Sequence, residues 1–236
     1  MAQFFQSTVA FTPDALAVAG QARLAYIRKV YTYFGFGLVA AIAGSLVAMN
    51  SGLVFFTAQH GIITFLVYLG AFFWAQASAN KPARAVPTMV LFTFISGVIL
   101  SPLLYMLAHS ANPNTGVQLI YNSLFLTALV FGGLTSYVFI TKKDFSFLAG
   151  TITVGLFVLI GAMLINSFFA HSSSFELGIS VIGTLLMAGF ILVDTSRILK
   201  YANQFPPTSA ALSLYLDFLN LFLFILQILM GSRSRD

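Results

Sequence analysis

Seven stretches of this chain are long and apolar enough to cross a lipid bilayer, and that property decides most of what it can fold into. They cover residues 30–49, 54–77, 85–108, 118–140, 147–169, 177–199 and 211–230. A membrane helix needs about 20 predominantly apolar residues, because backbone groups in hydrocarbon must bond to one another. The turn formers fall in the gaps: Asn50-Ser51-Gly52, Asn80-Lys81-Pro82, Asn112-Pro113-Asn114, Lys142-Lys143-Asp144, His171 to Ser174, and Gln204 to Thr208. No gap is long enough for a second domain. The expected fold is an all-α membrane protein: a seven-transmembrane-helix bundle over residues 30–236 behind a cytoplasmic N-terminal tail at 1–29.

Composition excludes the soluble alternatives. Hydrophobic residues make up 59% of the chain and charged residues 7%, against roughly 25% charged in an ordinary soluble domain. A soluble enzyme or a disordered tail is therefore ruled out. With no cysteine there is no disulfide scaffold, thiol nucleophile or cysteine metal site. The net charge of +5 is scattered in twos and threes between apolar runs. That pattern belongs to membrane-flanking charge, and nucleic acid is not an expected partner.

The basic residues also orient the chain. Arg23, Arg28, Lys29, Lys81, Arg84, Lys142, Lys143, Arg197 and Lys200 fall on one side of the bundle, and only Arg233 and Arg235 on the other. The positive-inside rule then places the N-terminus in the cytoplasm and the C-terminus outside. A re-entrant seventh segment would return the last two arginines to the cytoplasm; the length and apolarity of 211–230 favour a full span. The first basic residue is Arg23, after Pro13 and Asp14, so no signal peptide is expected. Thr12-Pro13-Asp14 reads as an N-cap, a first-turn proline and a dipole-matching acid. The helix it opens, with Leu16, Ala19, Arg23, Tyr26 and Ile27, is expected on the membrane surface before the first span. Pro87 and Pro102 interrupt the backbone bonding of the third span. Glycines at 35, 37, 44, 150, 155, 161, 178, 183 and 189 permit close helix packing.

Two acids fall at membrane depth, where an ionisable side chain costs about 2.5–3.5 kcal/mol at a helix centre and usually marks a functional path. Asp194 lies six residues before Lys200, and Asp217 six residues after position 211. Both are then roughly 9 Å inside the cytoplasmic boundary, at matching depth on neighbouring helices. Ser213, Asp217, Asn220 and Gln227, spaced by four, three and seven, form one polar stripe on an otherwise apolar seventh span. Ser180, Gly183, Met187 and Asp194 share a face of the sixth less cleanly. Arg197 is placed to pair with either acid. Two close carboxylates in a low-dielectric site cannot both ionise easily. A shared proton would hold the two spans together, and its loss would push them apart. Carboxylates also suit a hard cation such as calcium. The alternative is structural: Asp194 pairs with Arg197 or Lys200, and Asp217 caps or packs.

These residues resemble the Bax inhibitor-1 family. The likeness is carried by Ser213-Leu214-Tyr215-Leu216-Asp217-Phe218-Leu219-Asn220-Leu221-Phe222, with Val193-Asp194-Thr195 and Thr141-Lys142-Lys143-Asp144-Phe145-Ser146 in support. It covers the chain from about residue 25 to the end. Ala79-Asn80-Lys81-Pro82 and the Ser-Arg-Asp end look like a bacterial branch that includes an inner-membrane modulator of a membrane-bound AAA protease. The resemblance implies a seventh helix enclosed by the other six, a bacterial inner-membrane location and a pH-sensitive calcium leak. Its gate would be Asp194 and Asp217, with Arg197 as counter-charge and Ser213, Asn220 and Gln227 lining the path. No cofactor is implied; calcium is the transported ion. The bacterial calcium-leak relatives carry an arginine in the second span, and residues 54–77 contain none.

Three other functions bear on the same residues. An intramembrane aspartyl protease needs Gly-x-Gly-Asp around its second acid, whereas Leu214-Tyr215-Leu216 precede Asp217. A retinal Schiff base needs a lysine in the bundle, and none lies between Lys143 and Lys200 or after it. His60, His109 and His171 are expected as interfacial polar residues, with Glu176 near the last. A non-conducting interaction protein, using Phe4, Phe5 and Phe11 to meet a membrane protease, stays open beside the leak. No enzyme activity is expected.

Overall fold

The computed structural model describes residues 13–110, 113–202 and 204–233. The expected cap at Thr12, the contact residues Phe4, Phe5 and Phe11, Asn112, and the end with Arg235 lie outside the described residues. In chain order the helices are α1 Pro13–Ser51, α2 Leu53–Gln59, α3 Gly61–Ser78, α4 Pro82–Ala108, α5 Pro113–Thr141, α6 Ala149–Ile165, α7 Ser173–Lys200 and α8 Pro207–Arg233. A 3-10 turn at Ser146–Leu148 leads into α6, and a π turn at Asn166–Ala170 leaves it. There is no strand among the described residues, and seven helices are long and apolar enough to cross a membrane.

The boundaries differ from expectation in three places. The N-terminal helix does not break before the first span: α1 runs unbroken from Pro13 to Ser51. The second span is shorter than 54–77. Gly52 in the left-handed region (φ 76°) and His60 (φ −115°, ψ 51°) detach α2 as a seven-residue helix, leaving Gly61–Ser78 to cross. The His60 amide and ring nitrogen Nδ1 both lie against the Phe56 carbonyl, 3.0 and 3.1 Å away. Gln59-His60-Gly61 is the sequence trace of this break, masked because Leu53 to Phe56 before it are as apolar as the span itself. The last helix begins at Pro207, four residues before position 211. A proline at the first helical position loses no bond that the helix would have made. The helix then continues without interruption to Arg233, so the bend that a re-entrant segment needs is absent.

α8 is the most buried crossing: 56% of an 18-residue apolar stretch of it lies inside the protein, against 6–33% of such a stretch in the other six. Of the six helices that the resemblance places around it, α1, α4, α5 and α7 pack along it. α3 reaches it through a Ser209 hydroxyl donating to Gln76 Oε1 at 2.6 Å. Phe34 of α1, Phe131 of α5 and Phe218 of α8 form an aromatic trio with centroids 5.1–5.9 Å apart. Tyr215 is wholly buried, with its hydroxyl on Ser96 of α4. The outer faces carry exposed apolar residues such as Ile62, Ile140 and Phe157, as expected of surfaces that meet lipid.

Both expected interruptions of α4 lie inside one helix. Pro102 leaves the Val98 carbonyl without its usual amide partner. The Ser101 hydroxyl takes that place at 2.7 Å, the kind of local repair that lets a membrane helix keep a proline.

Only some of the glycines sit at close contacts. Gly44 of α1 and Gly97 of α4 touch the opposite backbone: a Cβ on Gly44 would collide with the Phe94 carbonyl, and one on Gly97 with that of Ala41. Gly183 receives the Phe224 ring, whereas Gly35, Gly150, Gly161 and Gly178 face open space. Gly97→Ala should therefore destabilise the protein by about 1–3 kcal/mol, the usual cost of overpacking. The upper end is expected because backbone cannot swing aside. Thermal unfolding in detergent checks this, with Gly35→Ala as a control that leaves the melting temperature unchanged.

Candidate functional site

α7 and α8 lie side by side and carry the candidate residues. α7 starts with Ser172 accepting the Phe175 amide at 3.4 Å and Glu176 in the first turn, and ends with Arg197 and Lys200. Acid at the start and base at the end both match the helix dipole. Its inner face (Ser180, Gly183, Met187, Ile191) is buried against α8.

Because α8 begins at Pro207, the two acids are not at one depth. Asp194 is six residues from the end of α7, and Asp217 is ten residues from the start of α8. At 1.5 Å per residue those depths are about 9 and 15 Å, an offset of roughly one turn. The α8 residue level with Asp194 is Ser213, and the Ser213 side chain lies beside the Asp194 carboxylate. Asp217 is buried deeper (7% exposed), and its Oδ2 has no hydrogen-bond partner. The two carboxylates interact electrostatically, but no hydrogen bond joins them among the described residues. An ionised carboxylate without a partner is costly at such a place.

Asp194 opens onto a cavity of about 250 Å³ at the basic end of the bundle, lined also by Arg197, Ser213, Gln76, Ser209 and Tyr26. Arg197 pairs with Asp194, not Asp217, through Nη1 to Oδ1 at 3.5 Å. Asp194 is 14% exposed and the guanidinium 45%. At 3.5 Å, with the arginine half-exposed, the pair is a weak pin. Gln76 has no charge, yet it occupies the second crossing helix beside Asp194. The missing arginine of that span therefore does not leave the cavity wall apolar.

Lys200 has a different partner from the one its sequence position suggests. It meets Asp144, Nζ to Oδ2, at 3.3 Å. Asp144 also accepts the Ser146 amide at 2.9 Å and the Tyr201 hydroxyl at 3.5 Å. The Phe145 amide donates to Ser196 Oγ at 3.2 Å. The α5–α6 connection is thus strapped to the last turn of α7.

The other end of α7 and α8 holds a second cavity, of about 440 Å³, with Glu176, His171, Asn166 and Gln227 in its wall. Gln227 Oε1 accepts the hydroxyl of wholly buried Ser180 at 2.8 Å. Asn220 is half-buried between the two ends. The α8 stripe therefore runs from one cavity at Ser213 to the other at Gln227. His60 and His109 cap helix ends, and no group of three metal-binding side chains occurs among the described residues.

The sequence model of the family described as inhibitor of apoptosis-promoting Bax1 matches residues 23–235. The chain belongs to the Bax inhibitor-1 family. A Campylobacter jejuni relative is 34% identical over 212 residues, 89% of this chain and 90% of its own. Bax inhibitor 1 of Schizosaccharomyces pombe is 31% identical over 229 residues, 95% of this chain and 83% of the relative. The modulator of FtsH protease YccA of Escherichia coli is 33% identical over 207 residues, 87% of this chain and 90% of the relative. The Schizosaccharomyces pombe and Escherichia coli relatives are named as an inhibitor and a modulator.

Within this Bax inhibitor-1 bundle, the Asp144 strap gives a pH signature of its own. The Ser146 amide foremost, then Lys200, hold the Asp144 carboxyl down at about 2, against an ordinary 3.8. A depressed carboxyl contributes stability that is complete above its unfolded value and is lost as pH falls through its folded one. Asp144→Asn should lower the melting temperature at pH 7, and the difference from wild type should vanish as the pH is brought from about 4 to 2. Calorimetry or scanning fluorimetry at each pH reads it.

Proposed function

We propose that this protein is a slow, proton-gated cation leak of the bacterial inner membrane, carrying calcium, with Asp194 and Asp217 as the gate. The observation that carries this reading is Asp217: a buried carboxylate with an unpartnered oxygen, one turn behind an acid that faces a cavity of about 250 Å³. A proton shared by the two acids closes the α7–α8 contact. When that proton leaves, two like charges face each other in a medium of low dielectric, and the helices separate. Arg197 and Ser213 face Asp194 and set how readily it turns to Asp217. Ser213, Asn220 and Gln227 supply oxygen along the way, which suits a hard cation.

The sign follows directly. Protonation closes, so calcium flux rises from about pH 6 to pH 8, by at most about tenfold per pH unit for a single proton. Calcium uptake by proteoliposomes measures it. Asp217→Asn should flatten the profile. If Asp194→Asn and Asp217→Asn both keep the wild-type profile, the gate is not this pair.

A second reading rests on the Escherichia coli relative named as a modulator of FtsH protease: a non-conducting protein that modulates a membrane-bound AAA protease. Slower or faster turnover of that protease's substrates in cells lacking this protein, with no flux in liposomes, selects it. In either case the nine-to-two bias of basic residues places the N-terminus in the cytoplasm and the C-terminus outside. Reporter fusions at each end test this: a phosphatase fused after Asp236 should be active outside the cell.

A further inference from the structure

The polar stripe of α8 has a spacing of seven between Asn220 and Gln227, with six residues in the gap. The residue that fills it, at spacings of four and three, is Phe224. Ser213, Asp217, Asn220, Phe224 and Gln227 thus share one helix face, four polar side chains and one phenyl ring. The ring is fixed in place. It lies on Gly183 of α7, where an added Cβ would come within 2.6–2.7 Å of three ring carbons. It is 6% exposed, part of the core that also holds Ile179 and Met187 of α7. One turn further along, Gln227 is tied to Ser180 at the floor of the far cavity. The near cavity ends at Ser213 and Asp194. Asp217 and Asn220 line neither cavity, so the polar path is shut at two levels, and Phe224 is the apolar one.

We infer that the Phe224 ring, seated on Gly183, is a second barrier that separates the far cavity from the buried acids. An apolar constriction holds back ions by keeping water out. Gly183 is what makes the seat: without a side chain, it lets the ring lie across the helix contact. The acids then decide whether the basic end opens, and Phe224 decides whether an ion that has entered can leave at the far end. This inference deepens the leak reading and rests on it for its physiological meaning, but the barrier itself is testable without flux.

The chain has no cysteine, so Asn220→Cys creates a single thiol just inside the barrier. A membrane-impermeant methanethiosulfonate is supplied on the Gln227 side of sealed vesicles. With Phe224 present, the reporter should react slowly. Phe224→Ala should speed labelling by about tenfold or more, the effect of removing roughly 1.4 kcal/mol from a barrier. Phe224→Leu, which keeps most of the core volume, should give an intermediate rate and decides the matter if the alanine variant does not fold. The inference is overturned if the reporter already reacts fast with Phe224 in place, or if its rate is the same in all three backgrounds. Calcium flux on the same proteins separates this from the leak reading. Absence of pH-dependent wild-type flux removes the leak, while the labelling rates still settle the barrier.

Discussion

A helix that carries Ser213, Asp217, Asn220 and Gln227 through hydrocarbon has to be kept away from lipid, because an unpaired polar group there costs several kcal/mol. The bundle answers that constraint. α8 has more than half of an 18-residue apolar stretch inside, while α6, packed on α7, shows most of its surface. The aromatic trio of Phe34, Phe131 and Phe218 and the Tyr215–Ser96 bond fix the helix on either side of Asp217. The helix around the acid is therefore held in place by its aromatic neighbours in the chain.

The arrangement of charge follows the same logic of depth. Near the membrane boundary, charges are paired and wet: Lys200 with Asp144, and Arg197 with Asp194. One turn further in, Asp217 has no cation beside it.

Much of this was legible in the sequence, and the failures have particular causes. Seven spans, the two acids and the polar stripe follow from one-dimensional patterns of apolar and polar residues, and such patterns survive folding. The break at His60 was marked only by the short polar step Gln59-His60-Gly61, which the long apolar runs on either side outweigh. The equal depth assigned to the acids failed because α8 was started at residue 211; the pair Pro206-Pro207 was the available signal, since proline favours a first turn. Lys200 found Asp144, a partner 56 residues away, and Ser209 found Gln76 at a separation of 133. No local spacing encodes such pairs. Phe224 was overlooked because a stripe read only by polarity skips the apolar residue standing in it.

The crossing of α1 and α4 at Gly44 and Gly97 has a mechanical meaning. Where two main chains rest directly on each other, no layer of rotamers lies between them to slide or re-sort. That joint is stiff, and the two helices form a post. Displacement in this molecule must be taken up at the seams that are filled with side chains, and the seam that holds both acids is one of them.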